Sequence, residues 1–181
     1  MIISFTGAQG TGKSTLINEL KNKPFIDEAF FIRDDMTRDL SGRGLEINEN
    51  GDNLTQLLII NSHVENITHK NSILSRSILD GLVYTTYLYE QGKVDNWVVG
   101  YAAKVFEMLI DQYDTMFYLP PEIPLVEDEH RSTNIKFRDD IVRLFEFFID
   151  HYDLKSKVIE LTGSVEERLE KVMEYIEKEE V

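Results

Sequence analysis

Cysteine is absent from the 181 residues, which excludes a disulfide scaffold, cysteine-ligated zinc, iron–sulfur clusters and thiol catalysis. Its absence suits a reducing compartment. Long apolar runs are absent as well. Leu57–Ile60 is typical, far short of the roughly 20 residues that a membrane-spanning helix needs. Met1-Ile2-Ile3-Ser4-Phe5 has neither the basic flank nor the apolar length of a secretion signal, so a cytoplasmic location with no membrane partner is expected. Basic charge is scarce: 19 Lys and Arg face 33 Asp and Glu, for a net charge of −14. That opposes a general nucleic-acid surface, because neutralised phosphates supply most non-specific affinity. It leaves room for a small phosphate in a locally basic cleft. Four histidines, His63, His69, His130 and His151, lack metal-ligand spacing such as H-E-x-x-H and are expected to be solvated. No repeat, low-complexity tract or Ser/Pro/Gly-rich linker divides the chain.

With 42% hydrophobic and 29% charged residues, residues 1–181 are expected to form one globular domain with a substantial core. A short apolar run, a loop and a longer helical pattern recur five times. The runs are Ile2–Thr6, Ala29–Ile32, Ser72–Leu74, Thr115–Leu119 and Lys157–Leu161. They do not alternate cleanly, as expected of strands covered on both faces. Leu54, Leu57, Leu58, Val64 and Ile67 recur at helical spacing. So do Val98, Ala102, Val105, Phe106, Leu109 and Ile110, and later Phe137, Ile141, Leu144, Phe145, Phe148 and Ile149. Ser164 with Glu167 three residues on predicts a capping box opening a last helix, whose many glutamates read as a solvated outer face. The alternation predicts an α/β fold with a parallel sheet between two layers of helices.

Gly7-Ala8-Gln9-Gly10-Thr11-Gly12-Lys13-Ser14 matches G-x-x-x-x-G-K-[ST] in full, after a strand pattern and before a helix with Leu16, Ile17 and Leu20 on one face. Glycines let the backbone curl around a polyphosphate with its N–H groups inward, and the helix N-terminus adds partial positive charge. Lys13 can reach the β- and γ-phosphates, and the Ser14 hydroxyl can ligate magnesium. The expected cofactors are ATP and Mg2+.

Ligands of open α/β sheets bind beyond the carboxyl ends of the strands. Arg33-Asp34-Asp35-Met36-Thr37-Arg38 follows the second strand. Ser75-Arg76-Ser77 follows the third, with Asp80 and Tyr84 on the next helix. A polar stretch through Pro120, Pro121, Pro124 and Asp128-Glu129-His130-Arg131 follows the fourth, with the character of a lid over residues 120–138. Thr162-Gly163-Ser164 follows the fifth. Lys13, Arg38, Arg76 and Arg131 thus gather at one edge, as phosphoryl transfer requires. Asp35 could organise magnesium, accept a proton from an acceptor hydroxyl, or cap a helix.

At these residues the chain resembles small P-loop kinases. It is most similar to the family of ribosylnicotinamide kinases and small AAA-type ATP-binding domains, with thymidylate and deoxynucleoside kinases more distant. Phe5-Thr6-Gly7 through Lys13-Ser14-Thr15 fits closely, and Asp35-Met36-Thr37-Arg38 resembles the family's E-x-x-R. Ser75-Arg76-Ser77 followed by Asp80 and Tyr84 resembles D-R-S and D-x-x-x-Y. Asp128-Glu129-His130-Arg131 resembles the lid's D-G-x-R, and Leu161-Thr162-Gly163 the loop beside adenine. Two positions depart: Ser75 replaces an aspartate that helps organise magnesium, and Glu129 a common glycine. The resemblance implies a three-layer P-loop fold with five parallel strands and ATP-dependent phosphorylation of a nucleoside, nucleotide or related metabolite. It implies catalytic roles for Lys13, Asp35, Arg76 and Arg131, nucleotide contacts from Gly7 through Thr15 and at Gly163, metal contacts at Ser14 and Asp35, and acceptor contacts at Arg38, Asp80 and Tyr84. The partner expected is a small-molecule phosphate acceptor, and oligomeric state is left open, a homodimer included.

Other functions fit less well. A GTPase switch needs N-K-x-D, whereas Asn22-Lys23-Pro24-Phe25 lacks its aspartate and comes too early. A motor or DNA-linked ATPase needs an apolar run ending in Asp-Glu, which Arg33-Asp34-Asp35 interrupts. An ATPase without an acceptor and a nucleotide-binding regulator remain as alternatives, the regulator hinted at by Ser75.

Overall fold

A computed structural model describes residues 1–124 and 134–179. The strands are β1 (Ile2–Thr6), β2 (Phe31–Arg33), β3 (Ser72–Leu74), β4 (Thr115–Tyr118) and β5 (Val158–Glu160). The helices are α1 (Lys13–Lys21), α2 (Pro24–Ala29), α3 (Thr37–Gly42), α4 (Asn53–Asn66), α5 (Ile78–Glu90), α6 (Asn96–Leu109), α7 (Ile135–His151) and α8 (Val165–Glu179). All five expected strands form. The second starts two residues late, because Ala29 closes α2, a six-residue helix opened by Pro24 at its first position. Proline is favoured there, since its fixed φ suits the first turn and its missing N–H has no helical partner to lose. Ile135 to Arg138 belong to α7, so the far end of the expected lid is helix. Residues 125–133 lie outside the described residues.

The strands pair in parallel in the order β2-β3-β1-β4-β5. Ile3 of β1 stands opposite Ile73 on one side and Thr115 on the other. Successive side chains leave opposite faces. Ile73 and Phe117 join one core, with Leu16, Ile17 and Leu20 of α1 and Val172 and Ile176 of α8. Leu74, Met116 and Tyr118 join the other, with α4, α5, α6 and α7. Both faces being covered explains the continuous apolar runs. Burying each large apolar side chain stabilises the sheet by about 1.5–3 kcal/mol, which makes the strand ends a rigid frame.

The helix after β1 packs on one face of the sheet and the helix after β3 on the other. Adjacent strands whose connections part in this way open a crevice at their carboxyl ends. The loop from Gly7 to Gly12 leaves β1 into that crevice, and Arg76, just after β3, faces it. No helix among the described residues is long and apolar enough to cross a membrane.

Candidate functional site

The loop after β1 is held in a conformation that side chains would obstruct. Gly7 has φ +132°, and a Cβ there would come within 2.7 Å of the Leu119 carbonyl oxygen at the end of β4. Gly12, the N-terminal cap of α1, has φ +94°. Lys13 is only 6% exposed and turns back over the loop. Its ammonium donates to the Gly7 carbonyl at 2.8 Å, the Ala8 carbonyl at 2.6 Å and the Thr11 hydroxyl at 3.2 Å. A buried cation, glycine-permitted curvature and the start of a nine-residue helix therefore coincide at one anion-binding position.

The loop forms one wall of a narrow cleft. Gln9, Gly10, Thr11, Gly12, Lys13 and Ser14 line it on one side, with Asp35, Thr37, Arg38, Asn48 and Arg76 opposite. The tertiary fold thus brings Lys13, Arg38 and Arg76 together. Arg131 lies outside the described residues. Thr15 is exposed on α1, and neither it nor Gly163 lines the cleft. The Gly163 N–H donates instead to Glu122 at 3.0 Å.

Asp35 and Arg76 form the centre of the opposite wall. Arg76 Nε donates to Asp35 Oδ2 at 2.5 Å, and Asp35 Oδ1 accepts from the Thr37 N–H at 3.0 Å and hydroxyl at 2.7 Å. Asp35 thus folds its own loop ahead of α3 and also faces the cleft. Burial pushes its carboxyl up, but Arg76 and the Thr37 donors outweigh that and hold it at about 2.

Arg76 is fixed from three sides. Its Nη1 donates to Asp80 at 3.2 Å, and its guanidinium carbon lies 4.9 Å from the centre of the Tyr84 ring. Asp80, 1% exposed, also accepts from the Thr6 hydroxyl of β1 and from the Ser77 N–H and hydroxyl, closing a capping box at the start of α5. Its oxygens are engaged with the frame, so Asp80 acts on the site through Arg76. Tyr84 lies against the loop, its hydroxyl 3.4 Å from the Gln9 side-chain oxygen. Gln9 is 4% exposed and its side-chain nitrogen has no protein partner.

A second, small pocket adjoins the cleft, sharing Thr37, Asn48 and Arg76 with it and adding Gln56, Ile59, Asp80 and Tyr84. Gln56 carries no signal in the sequence. It sits in the first turn of α4, just after the Asp52–Thr55 capping box, and its side-chain oxygen accepts from the Thr85 hydroxyl at 3.0 Å. A third, very small chamber lies behind Asp35 and Arg76, where Ser75, Ser62, Asn66 and His63 line it. Ser75 opens on this chamber, not on the cleft. The expectation that the histidines are solvated fails at His63. It is 4% exposed, packed against Gly81 of α5, and neither ring nitrogen has a protein partner. Burial drives its pKa down to about 4, Arg76 adding to the drop while Asp80 and Asp35 oppose it.

A roomier cavity, about 410 Å3, lies between Pro121 and α7. Glu146, Asp150 and Glu160 outnumber Lys155 in its lining, so it repels a polyphosphate, and the loop cleft is the better candidate.

Sequence reasoning also missed Arg168. The expected capping box of α8 forms: the Ser164 N–H donates to Glu167 at 2.7 Å and the Glu167 N–H to the Ser164 hydroxyl at 3.2 Å. Arg168, the next residue, is only 2% exposed. It donates to the Thr11 carbonyl at 2.8 Å and to Glu122 at 2.8 Å. No spacing or motif marks it in a helix rich in charge.

A family model described as an AAA domain matches residues 2–168. No curated protein matches the chain significantly. Among solved structures, deoxyadenosine kinase from M. mycoides with products dCMP and a flexible dCDP bound is 15% identical, with a TM-score of 0.68 over 98% of this chain and 99% of that one. NadR protein in complex with NAD and AMP-PNP is 14% identical with a TM-score of 0.70 over 96% of this chain, which spans 49% of NadR. YorR protein from Bacillus subtilis in complex with phosphorylated GDP is 15% identical with a TM-score of 0.62 over 99% and 98% of the two chains. At these identities the likeness establishes the fold, a three-layer P-loop α/β architecture.

Proposed function

We propose, for a chain that belongs to the AAA domain family, magnesium-dependent transfer of the ATP γ-phosphoryl group to a nucleoside, a nucleoside monophosphate or a related small metabolite. One observation carries the reading: the phosphate cleft opens through Thr37, Asn48 and Arg76 into a second pocket. ATP hydrolysis alone needs no such pocket, whereas transfer needs two ligands side by side with the reacting atoms in line. The nucleotides bound by the similar structures support the same acceptor class.

In this reading the loop N–H groups and Lys13 hold the β- and γ-phosphates. Arg38 and Arg76 neutralise charge across the cleft, and Arg131, placed from sequence, adds a third arginine. Tyr84 and Gln56 form the acceptor pocket, with Asp80 fixing Arg76 beside them. Ser14 and Asp35 are hard oxygen donors lining one cleft, which fits magnesium. When bound there, the ion neutralises charge on the phosphates. A carboxyl held at about 2 takes up protons poorly near neutrality, so Asp35 orients Arg76 and the acceptor hydroxyl more than it serves as base.

A second reading, nucleotide binding without transfer, draws on Ser75. It opens on the inner chamber and leaves Asp35 as the one carboxylate lining the cleft among the described residues. ADP release measured across a panel of nucleosides and monophosphates separates the readings. Acceptor-dependent release supports transfer, acceptor-independent release means an ATPase, and binding without turnover means a regulator.

A further inference from the structure

We propose that Arg168, anchored by Glu122, is a positioning residue that sets the phosphate loop for triphosphate binding from behind. The inference rests on the reading of the cleft as a nucleotide site. Arg168 comes from the C-terminal helix, 157 residues from its partner Thr11. A buried guanidinium is costly unless its donors are met, and Nε of Arg168 has no partner among the described residues, so its two arms carry the pairing. They go to different partners. Nη2 reaches Glu122 at 2.8 Å and Nη1 reaches the main-chain carbonyl of Thr11 at 2.8 Å, inside the loop.

The planar trans peptide couples that carbonyl to the next N–H. A Thr11 carbonyl held toward α8 turns the Gly12 N–H the opposite way, and Thr11 and Gly12 are walls of the cleft. Donation to the carbonyl also polarises the peptide, making its N–H a stronger donor to an anion. The fit is close, since a Cβ on Gly12 would lie 3.3 Å from Arg168 Nη1. Glu122 completes the arrangement by accepting the Gly163 N–H at 3.0 Å, so the clamp ties together the segments after β1, β4 and β5. The loop needs such support because Gly10 and Gly12, at φ +74° and +94°, leave its peptides free to turn over.

The test compares wild type with Arg168→Met, Arg168→Lys and Glu122→Gln, using magnesium with inorganic tripolyphosphate as the probe in calorimetry below each variant's melting temperature. Tripolyphosphate has no base or sugar, so it reads the loop alone. Arg168→Met is expected to weaken its binding about 10-fold or more, the worth of one hydrogen bond from a charged donor. KM for ATP should rise in parallel, with kcat and the KM of the acceptor found in the panel little changed. Arg168→Lys should recover part of the loss. The Glu122 side chain is 41% exposed, so Glu122→Gln should fold and weaken binding about 3-fold by loosening the anchor. Glu122→Gln decides the matter alone if Arg168→Met does not fold. Unchanged tripolyphosphate affinity in the folded variants overturns the proposal. Wild-type protein that binds neither tripolyphosphate nor ATP overturns the nucleotide reading itself, and the inference with it.

Discussion

Asp35 and Arg76 meet at 2.5 Å across the ends of β2 and β3, 41 residues apart in the chain, and the pair forms the wall facing the phosphate loop. Each holds the other at the cleft. The carboxylate needs the guanidinium to remain charged while mostly buried, and the guanidinium needs Asp35 and Asp80 to keep its direction. Asp35→Asn is therefore expected to raise the magnesium concentration for half-maximal activity several-fold. Ser75→Asp should leave it unchanged, because residue 75 opens on the chamber behind. Magnesium titrations of both variants check this, and an unaltered requirement in Asp35→Asn removes Asp35 from the metal site.

Lys13→Ala should lower turnover by about 10²-fold or more, since it removes the side-chain cation within reach of the transferring group. The same change strips a donor from the Gly7 and Ala8 carbonyls, so a modest loss of melting temperature should accompany it. Steady-state kinetics and thermal denaturation on one preparation separate the two effects. Near wild-type turnover would mean that the loop does not serve catalysis.

His63 gives stability a pH dependence of predictable sign. Its folded pKa is about 4 against an ordinary 6.5, so between these values the unfolded chain binds more protons than the folded one. Stability therefore falls as pH drops through that window, by about 2 kcal/mol between pH 8 and pH 5 from this group. His63→Leu costs no hydrogen bond within the protein, because neither ring nitrogen has a partner. Denaturant unfolding at pH 8 and pH 5 should show a smaller loss in the variant. An equal loss in both proteins would place the dependence elsewhere.

Gly7→Ala and Gly92→Ala share a left-handed backbone but not a neighbourhood. A Cβ at Gly92, φ +71°, meets nothing within 4 Å, whereas one at Gly7 meets the Leu119 backbone at 2.7 Å. Gly92→Ala should cost only about 1 kcal/mol of conformational preference. Gly7→Ala should cost distinctly more and reduce nucleotide binding as well, because strand end and loop must move apart. Denaturation midpoints and ATP titrations of the pair test it.

The parts of the site legible in the order of residues are those whose physics is local. Gly7 to Ser14 names a phosphate loop because backbone curvature, lysine and helix start are consecutive. The five strands and the long helices show because burial imposes a period on neighbouring residues. The Ser164–Glu167 cap is a four-residue event. Residues whose roles depend on remote partners carry no such mark. Arg168 in its charged helix carries no signal until α8 docks against β1's loop, and His63 reads as surface until α4 packs on Gly81 of α5. Ser75 sits in the expected motif, yet the turn after β3 points it behind Arg76. Gln56 gains a role only when α4 faces Tyr84. Charge and hydrogen bonding at these positions are settled by which elements the parallel sheet brings side by side, and a pairing energy between residues 41 or 157 positions apart leaves no periodicity in the chain to read.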